Sequence, residues 1–404
     1  MAWRRAVSQL RSNLGGMWVV GLMSGTSADA IDAALVEWPD GKDAAPFRLL
    51  AYREFPHAES LQSEIHRLAA GDLPGDKMLE ELVRLDRVIA DRFAEATLAL
   101  LSEANVSPEQ VAGIASHGQT VAHHPEHGGS LQIGCPARLA ERLQRPVIAD
   151  FRRRDLAMDG EGAPLAPFFH HALFANPAET RGVLNLGGIA NLTWLPAGGR
   201  REDVMAFDVG PANTLLDGVV ALATEGAERF DRGGARAAAG KVRPAWLEEI
   251  LADPYLHRPA PKSTGRERYG LAEARTWWHR SQSEGVSLED LLATLAAGST
   301  RAIADAWNRM AEIAETAGPS RLFVGGGGVL NDHVMHLLGE ALPQVAVESM
   351  EAAGVPSDAA EAMAFSLMGR NTLCGLPNQL PQCTGVAEAR VLGVVHGAEW
   401  ITRE

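Results

Sequence analysis

The first apolar run, Trp18-Val-Val-Gly-Leu-Met, is short and bounded by small residues, which predicts a buried strand. Ser24-Gly-Thr-Ser follows as a turn. Ile31-Asp-Ala-Ala-Leu-Val-Glu-Trp then reads as a second strand, so the two make a hairpin. The pattern returns later: Gly182-Val-Leu-Asn-Leu, a Gly187-Gly188 turn, and Ile189-Ala-Asn-Leu-Thr-Trp-Leu. Each hairpin opens one half of the chain. That is the signature either of a duplicated architecture or of two unrelated hairpins.

Helical spacing of apolar residues covers 76–105 (Leu79, Leu82, Leu85, Ile89, Phe93) and 288–317 (Leu291, Leu295, Ile303, Trp307, Met310). Arg321-Leu-Phe-Val predicts a strand, interrupted by Gly325-Gly-Gly-Gly, and Val345-Ala-Val-Glu-Ser a late strand. Glu361-Ala-Met-Ala-Phe-Ser-Leu-Met opens another helix. Helices alternating with short apolar strands indicate an α/β fold. No low-complexity linker separates the segments, so the domains are expected to pack closely.

The 404 residues suggest two to three domains at about 150 each. At 46% hydrophobic and 22% charged residues the chain is neither disordered nor fibrous. Its net charge of −14 argues against a phosphate backbone as partner, while leaving room for a small anion at a local positive site. Three cysteines, Cys135, Cys374 and Cys383, form no CxxC pair and suit a reducing compartment. No apolar run is long enough to span a membrane. Residues 1–16 are basic and lack an apolar core segment; they read as a flexible extension ahead of Met17 rather than a secretory signal.

Four places can carry chemistry. The turn Gly25, Thr26, Ser27, Ala28, Asp29, Ala30, Ile31, Asp32 offers backbone N–H groups and hydroxyls to a phosphate, and Asp29 and Asp32 can hold Mg²⁺ through water. The alternative is an ordinary hairpin turn; the Walker lysine is missing. Asp208, in Phe207-Asp-Val-Gly-Pro, ends an apolar approach and suits a general base, or equally a turn cap. Gly325, Gly326 and Gly327 let backbone approach adenine or phosphate closely, without matching GxGxxG. Asp150-Phe-Arg-Arg-Arg-Asp and Lys262-Ser-Thr-Gly-Arg-Glu are either anion-binding loops or solvated charge. The histidine clusters (His123, His124, His127; His170, His171) lack a metal-binding spacing, and there is no GxSxG nucleophile.

Taken together, Gly21-Leu-Met-Ser-Gly-Thr-Ser-Ala-Asp-Ala-Ile-Asp, Ser116-His-Gly-Gln-Thr, Leu131-Gln-Ile-Gly, Ala149-Asp-Phe-Arg-Arg-Arg-Asp, Gly162-Ala-Pro-Leu, Asn185-Leu-Gly-Gly-Ile-Ala-Asn, Phe207-Asp-Val-Gly-Pro, Pro261-Lys-Ser-Thr-Gly-Arg-Glu, Glu361-Ala-Met-Ala-Phe and Cys383-Thr-Gly resemble the anhydro-N-acetylmuramic acid kinase family. That family lies within the sugar kinase, heat-shock chaperone and actin superfamily.

The resemblance implies a two-lobed α/β fold with duplicated mixed-sheet domains and an inter-lobe cleft. The first lobe is expected at 17–150 plus about 389–404, the second at 151–388. It also implies a reaction: ATP and water convert 1,6-anhydro-N-acetylmuramic acid to N-acetylmuramic acid 6-phosphate, with Mg²⁺, in a cytoplasmic homodimer that recycles cell wall. Asp208 looks like the family's base and Glu361 like its second active-site carboxylate. ATP would meet the first turn, Asn185, Gly187 and Gly188, and Gly325, Gly326 and Gly327; sugar would meet His117, Gln119 and Gln132.

Several positions depart from the family pattern: Ala28 and Ala30 flank Asp29 where Leu and Gly are usual, Ala212 replaces a glycine, and Asp159 and Glu161 replace Gly and Gln. Losing the glycine at Ala30 removes access to positive φ if the turn needs it. Two other functions remain open: a levoglucosan-type anhydro-sugar kinase, and an actin-like or chaperone-like nucleotide-dependent scaffold.

Overall fold

A computed structural model describes residues 16–315 and 318–397. All but residue 16 of the extension expected at 1–16, the end of the second long helix and the last residues of the closing segment lie outside the described residues.

The first six strands are β1 (Met17–Ser24), β2 (Ala30–Trp38), β3 (Arg48–Pro56), β4 (Gly113–His124), β5 (Gly129–Ile133) and β6 (Val147–Ala149). β1 and β2 form the expected antiparallel hairpin, with Met23 opposite Asp32. β3 extends it antiparallel to β2, and β4 runs parallel to β1 on the other side. β6 lies parallel to β4, and β5 folds back antiparallel on β4.

β2 shows no in–out alternation: Ala33, Ala34, Leu35 and Val36 are all 0% exposed. A strand buried on both faces reads as continuous apolar sequence. On one face Val20 and Leu22 join Leu85, Ile89 and Phe93 of the helix Gly75–Glu103. On the other, Gly21 meets the helix Ala360–Cys374.

The second sheet is built from β7 (Thr180–Leu186), β8 (Ile189–Leu195), β9 (Met205–Pro211), β10 (Ser320–Gly325) and β11 (Val345–Ser349). β7, β8 and β9 form an antiparallel meander, and β10 and β11 add in parallel beside β7. Its order, β9-β8-β7-β10-β11, repeats β3-β2-β1-β4-β6 of the first sheet. Two hairpins alone are coincidence; five strands in the same order and sense are a duplication. The core beneath this sheet includes Trp194 edge-on to Trp307, with ring centroids 4.7 Å apart. The chain ends its described part in β12 (Val394–His396), antiparallel to β6.

The chain divides into two units: residues up to Leu173 together with those from Ala359 onward, and Phe174–Asp358. The sequence places these crossings near 150 and 389. The difference has a physical cause. The helix Phe151–Leu156 carries Asp155, which is 0% exposed and accepts hydrogen bonds from Gln379 Nε2 (2.6 Å) and Thr384 Oγ1 (2.8 Å). A buried carboxylate must be satisfied, so both flanking segments stay with the first sheet.

Candidate active site

In the first unit the turn after β1 is closed by Ala28 N donating to Gly25 O at 3.0 Å. Ser24 Oγ lies 2.7 Å from Gln119 Oε1 and 2.9 Å from Ala30 O. Thr26, Ser27 and Asp29 are exposed, while Ala28 and Ile31 are wholly buried and contribute backbone only. Among the described residues no acceptor meets the N–H of Thr26 or Ser27. Exposed, unpaired N–H groups beside hydroxyls suit a phosphate.

Asp29 turns back on its own turn, accepting from Ser27 Oγ (2.6 Å) and Ala30 N (3.1 Å). Asp32 accepts from Tyr52 OH at 2.8 Å. Burial, with Glu54, Glu361 and Asp29 nearby, pushes its carboxyl up to about 6 against that bond.

Glu361 sits in the first turn of the helix Ala360–Cys374. Burial raises its pKa, and the attraction of Arg152 opposes the rise. Arg152 is the one arginine of its run that turns inward; Arg153 and Arg154 are exposed. It donates from Nε to His117 Nε2 (3.0 Å) and from a terminal nitrogen to Gly162 O (2.8 Å). Burial and Arg152 hold His117 well below its ordinary pKa, so the ring is neutral. Its Nδ1 lies 2.9 Å from Gly118 O, which assigns the proton to Nδ1 and the lone pair to Arg152.

The three residues expected to meet sugar all have protein partners. Gln119 is 0% exposed, and its amide is committed to Ser24, Gly25 O (3.0 Å) and Thr120 O (3.2 Å); it staples the turn. His117 orients Arg152. Gln132 is half-buried and donates to Ser130 Oγ at 2.7 Å and Thr120 Oγ1 at 3.2 Å.

In the second unit, parallel pairing sets Gly325 opposite Asn185. The glycines after β10 therefore lie against Asn185 and Leu186, which lead into the turn at Gly187 and Gly188. Gly326 has φ +79, and a Cβ there would lie 2.3 Å from Asn185 Oδ1. Gly187 O and Gly188 O accept from Asn213 N (3.1 Å) and Thr214 N (3.1 Å), so the helix Asn213–Ala223 starts at this turn.

Asp208 lies inside β9, opposite Asn191 of β8, beside a bulge in the register. One carboxylate oxygen, Oδ1, accepts from Asn191 Nδ2; Oδ2 accepts from Ser263 Oγ (3.0 Å) and Thr264 N (2.9 Å). These donors come from a neighbouring strand and a distant loop, not from the residue's own turn, so it is no turn cap. Burial raises its pKa in spite of all three donors. The loop carrying Lys262, left open between anion binding and solvated charge, holds a protein carboxylate. Asn191, Ser263, Thr264 and Arg152's partnership with His117 are the site residues that sequence reasoning missed. Ser263 and Thr264 were signalled only as a hydroxyl-rich loop of unknown target, Asn191 only as the end of a motif block and Arg152 only as one of three successive arginines.

A family model described as anhydro-N-acetylmuramic acid kinase matches residues 17–398. The chain belongs to that family. Relatives of that name include one from Caldanaerobacter subterraneus subsp. tengcongensis, 38% identical over 93% of this chain and 96% of its own. Another, from Gloeobacter violaceus, is 40% identical over 94% of this chain and 98% of its own. A ROK hexokinase structure from Thermus thermophilus covers 88% of this chain and 100% of its own at 17% identity, with a TM-score of 0.37.

The departures from the family pattern now have locations. Ala30 begins β2 at ordinary φ; the positive φ of this turn, +49, falls on Ala28 instead. The missing glycine therefore costs the turn nothing. Ala212 has φ −123, so its methyl meets no left-handed strain. Asp159 does replace a glycine at positive φ, +60, where Asp is better tolerated than most residues. Among the described residues no group of three or more His, Cys, Asp or Glu side chains is arranged to hold a metal ion directly.

Proposed function

We propose that this chain uses ATP and water to open the 1,6-anhydro ring of 1,6-anhydro-N-acetylmuramic acid and phosphorylates O6, giving N-acetylmuramic acid 6-phosphate. The observation that carries this is the setting of Asp208. A carboxylate has about four lone-pair sites; the three donors occupy two on Oδ2 and one on Oδ1. One site on Oδ1 remains to take a proton from water, and burial strengthens the base. Water oxygen bonds to C1 as its proton passes to Asp208, the C1–O6 bond breaks, and O6 attacks the γ-phosphorus as the bond to ADP breaks.

Phosphoryl transfer chiefly requires positioning and charge neutralisation. The N–H groups of Thr26 and Ser27 would receive phosphate, and Gly325, Gly326 and Gly327 with Asn185, Gly187 and Gly188 the adenosine side. Mg²⁺ fits the chemistry of the first unit: Glu361 and Asp29 add to the raised proton affinity of Asp32, and a hydrated cation offsets that repulsion. When bound it neutralises phosphate charge. Arg152, oriented by His117 and Gly162 O, is assigned to the substrate's lactyl carboxylate, because a guanidinium suits a planar anion. The family resemblance supports a cytoplasmic homodimer in cell-wall recycling. No helix among the described residues is long and apolar enough to cross a membrane.

The test is a single turnover in ¹⁸O-water with mass spectrometry of the product. Label enters C1 and is absent from the phosphate; label in the phosphate, or in neither, refutes the mechanism. For the nucleotide side, Gly326→Ala drives a methyl against Asn185 and the Leu186 carbonyl. It raises KM for ATP by about tenfold or more, equivalent to about 1.4 kcal/mol, with KM for the sugar unchanged. A wild-type KM for ATP would remove these glycines from the site.

A further inference from the structure

We propose that Lys262 is a positioning residue for the proton-accepting step: its ammonium ties loop 261–264 to β9 so that Ser263 and Thr264 meet the Asp208 carboxylate in one fixed geometry. This role presupposes Asp208 as the base.

Among the described residues β9 is the outermost strand of the second sheet. An outer strand leaves a row of backbone groups without a strand partner. Lys262 takes that place twice. Its own carbonyl accepts from Asp208 N at 3.0 Å. Its side chain then returns to the next residue of β9, with Nζ donating to Val209 O at 3.3 Å. The same Nζ donates to Tyr255 O (3.0 Å) and Leu256 O (3.2 Å). Three ammonium donors thus meet three backbone carbonyls.

Tyr255 completes the brace. Its ring centroid lies 4.5 Å from Nζ, and its hydroxyl donates to Asp208 O at 2.9 Å. The backbone on both sides of the Asp208 Cα is therefore gripped by the segment that also supplies the carboxylate's donors.

No carboxylate forms an ion pair with Lys262 among the described residues, so its charge is spent on peptide carbonyls. The charged groups facing it are Arg309 of the helix Leu288–Ile313, Arg258, Asp253 and Asp208; Glu267 faces the Asp208 carboxylate. Burial, then Arg309, lowers the ammonium to about 8, in keeping with a half-buried cation that has no counter-ion. A planar guanidinium does not reproduce this convergence of three donors from one atom.

A purely structural brace would change stability alone. A positioning brace also changes the proton affinity of Asp208, because donors to a carboxylate favour its ionised form. Losing them raises the pKa of Asp208, and the acid limb of activity moves to higher pH.

The experiment measures kcat/KM for the anhydro-sugar against pH in the wild type, Lys262→Met and Asp208→Asn, with circular dichroism to verify folding. Lys262→Met moves the acid limb up by about one pH unit, tenfold in proton affinity. It also lowers kcat by about tenfold through misplacement of the base, while KM for ATP stays constant. Should Lys262→Met fail to fold, Lys262→Gln is measured in its place, and the limb moves in the same direction. An unmoved acid limb in a folded variant, with Asp208→Asn inactive, overturns the role of Lys262 and leaves the base in place. Asp208→Asn with wild-type kcat overturns the base and this role together.

Discussion

Asp208→Asn lowers kcat by about 10²- to 10⁴-fold, the range of a lost general base, and leaves ATP affinity unchanged. The amide cannot accept the proton of water, yet it is nearly the same size and stays within reach of Ser263 and Thr264. The loss is in a transition-state interaction, so it falls on kcat rather than on nucleotide binding. Calorimetric titration with ATP and steady-state kinetics separate the two. The pH profile gives a second check with a definite sign. In the wild type the base works only when ionised, and burial raises its pKa above the ordinary carboxylate value. Activity is therefore present above that raised value and lost as pH falls through it. A near-normal kcat in the Asn variant would assign the base elsewhere.

Gly21→Ala destabilises the protein by about 3 kcal/mol or more, the upper end for overpacking a core. A Cβ on Gly21 would lie 1.8 Å from Ala362 O and 2.7 Å from Ser366 N. Both are backbone atoms, so no rotamer change makes room. The helix Ala360–Cys374 cannot slide away cheaply either. Ser366 Oγ donates to Val19 O at 2.8 Å and receives Trp38 Nε1 at 2.9 Å. Urea unfolding measures the loss. Because Glu361 immediately precedes Ala362, the displaced helix also carries away a site carboxylate, so kcat falls in whatever fraction remains folded. A variant within about 1 kcal/mol of wild type, the usual reach of a surface change, would contradict the close crossing of β1 and this helix.

The two hairpins, the long helices and the strand before the tetraglycine were all legible along the chain. Each depends on the period of apolar residues within a short window, and strands and helices leave distinct periods. The ordered motif blocks also named Asp208 and Glu361 as the carboxylates to watch. The purpose of the basic, hydroxyl-rich loop at Lys262 was not legible. Ser263 reaches Asp208 across 55 positions and Gln119 reaches Ser24 across 95, and no local pattern encodes such pairs.

The same limit explains the misplaced domain crossings. Asp155 and Gln379 are 224 positions apart, and only their shared burial ties the flanking segments to the first sheet. Whether the turn needs positive φ at Ala30 was not legible for a related reason: φ is set by how the turn closes, and closure put the left-handed residue at Ala28, not Ala30.

By itself, then, the sequence determined the elements and the family and marked the two carboxylates proposed for the chemistry, because local periodicity and motif chemistry are written residue by residue. Only the tertiary structure decided which donors hold Asp208, which arginine turns inward and where the chain changes units. Those outcomes follow from the need to satisfy buried polar groups, and their partners are found in space rather than along the chain.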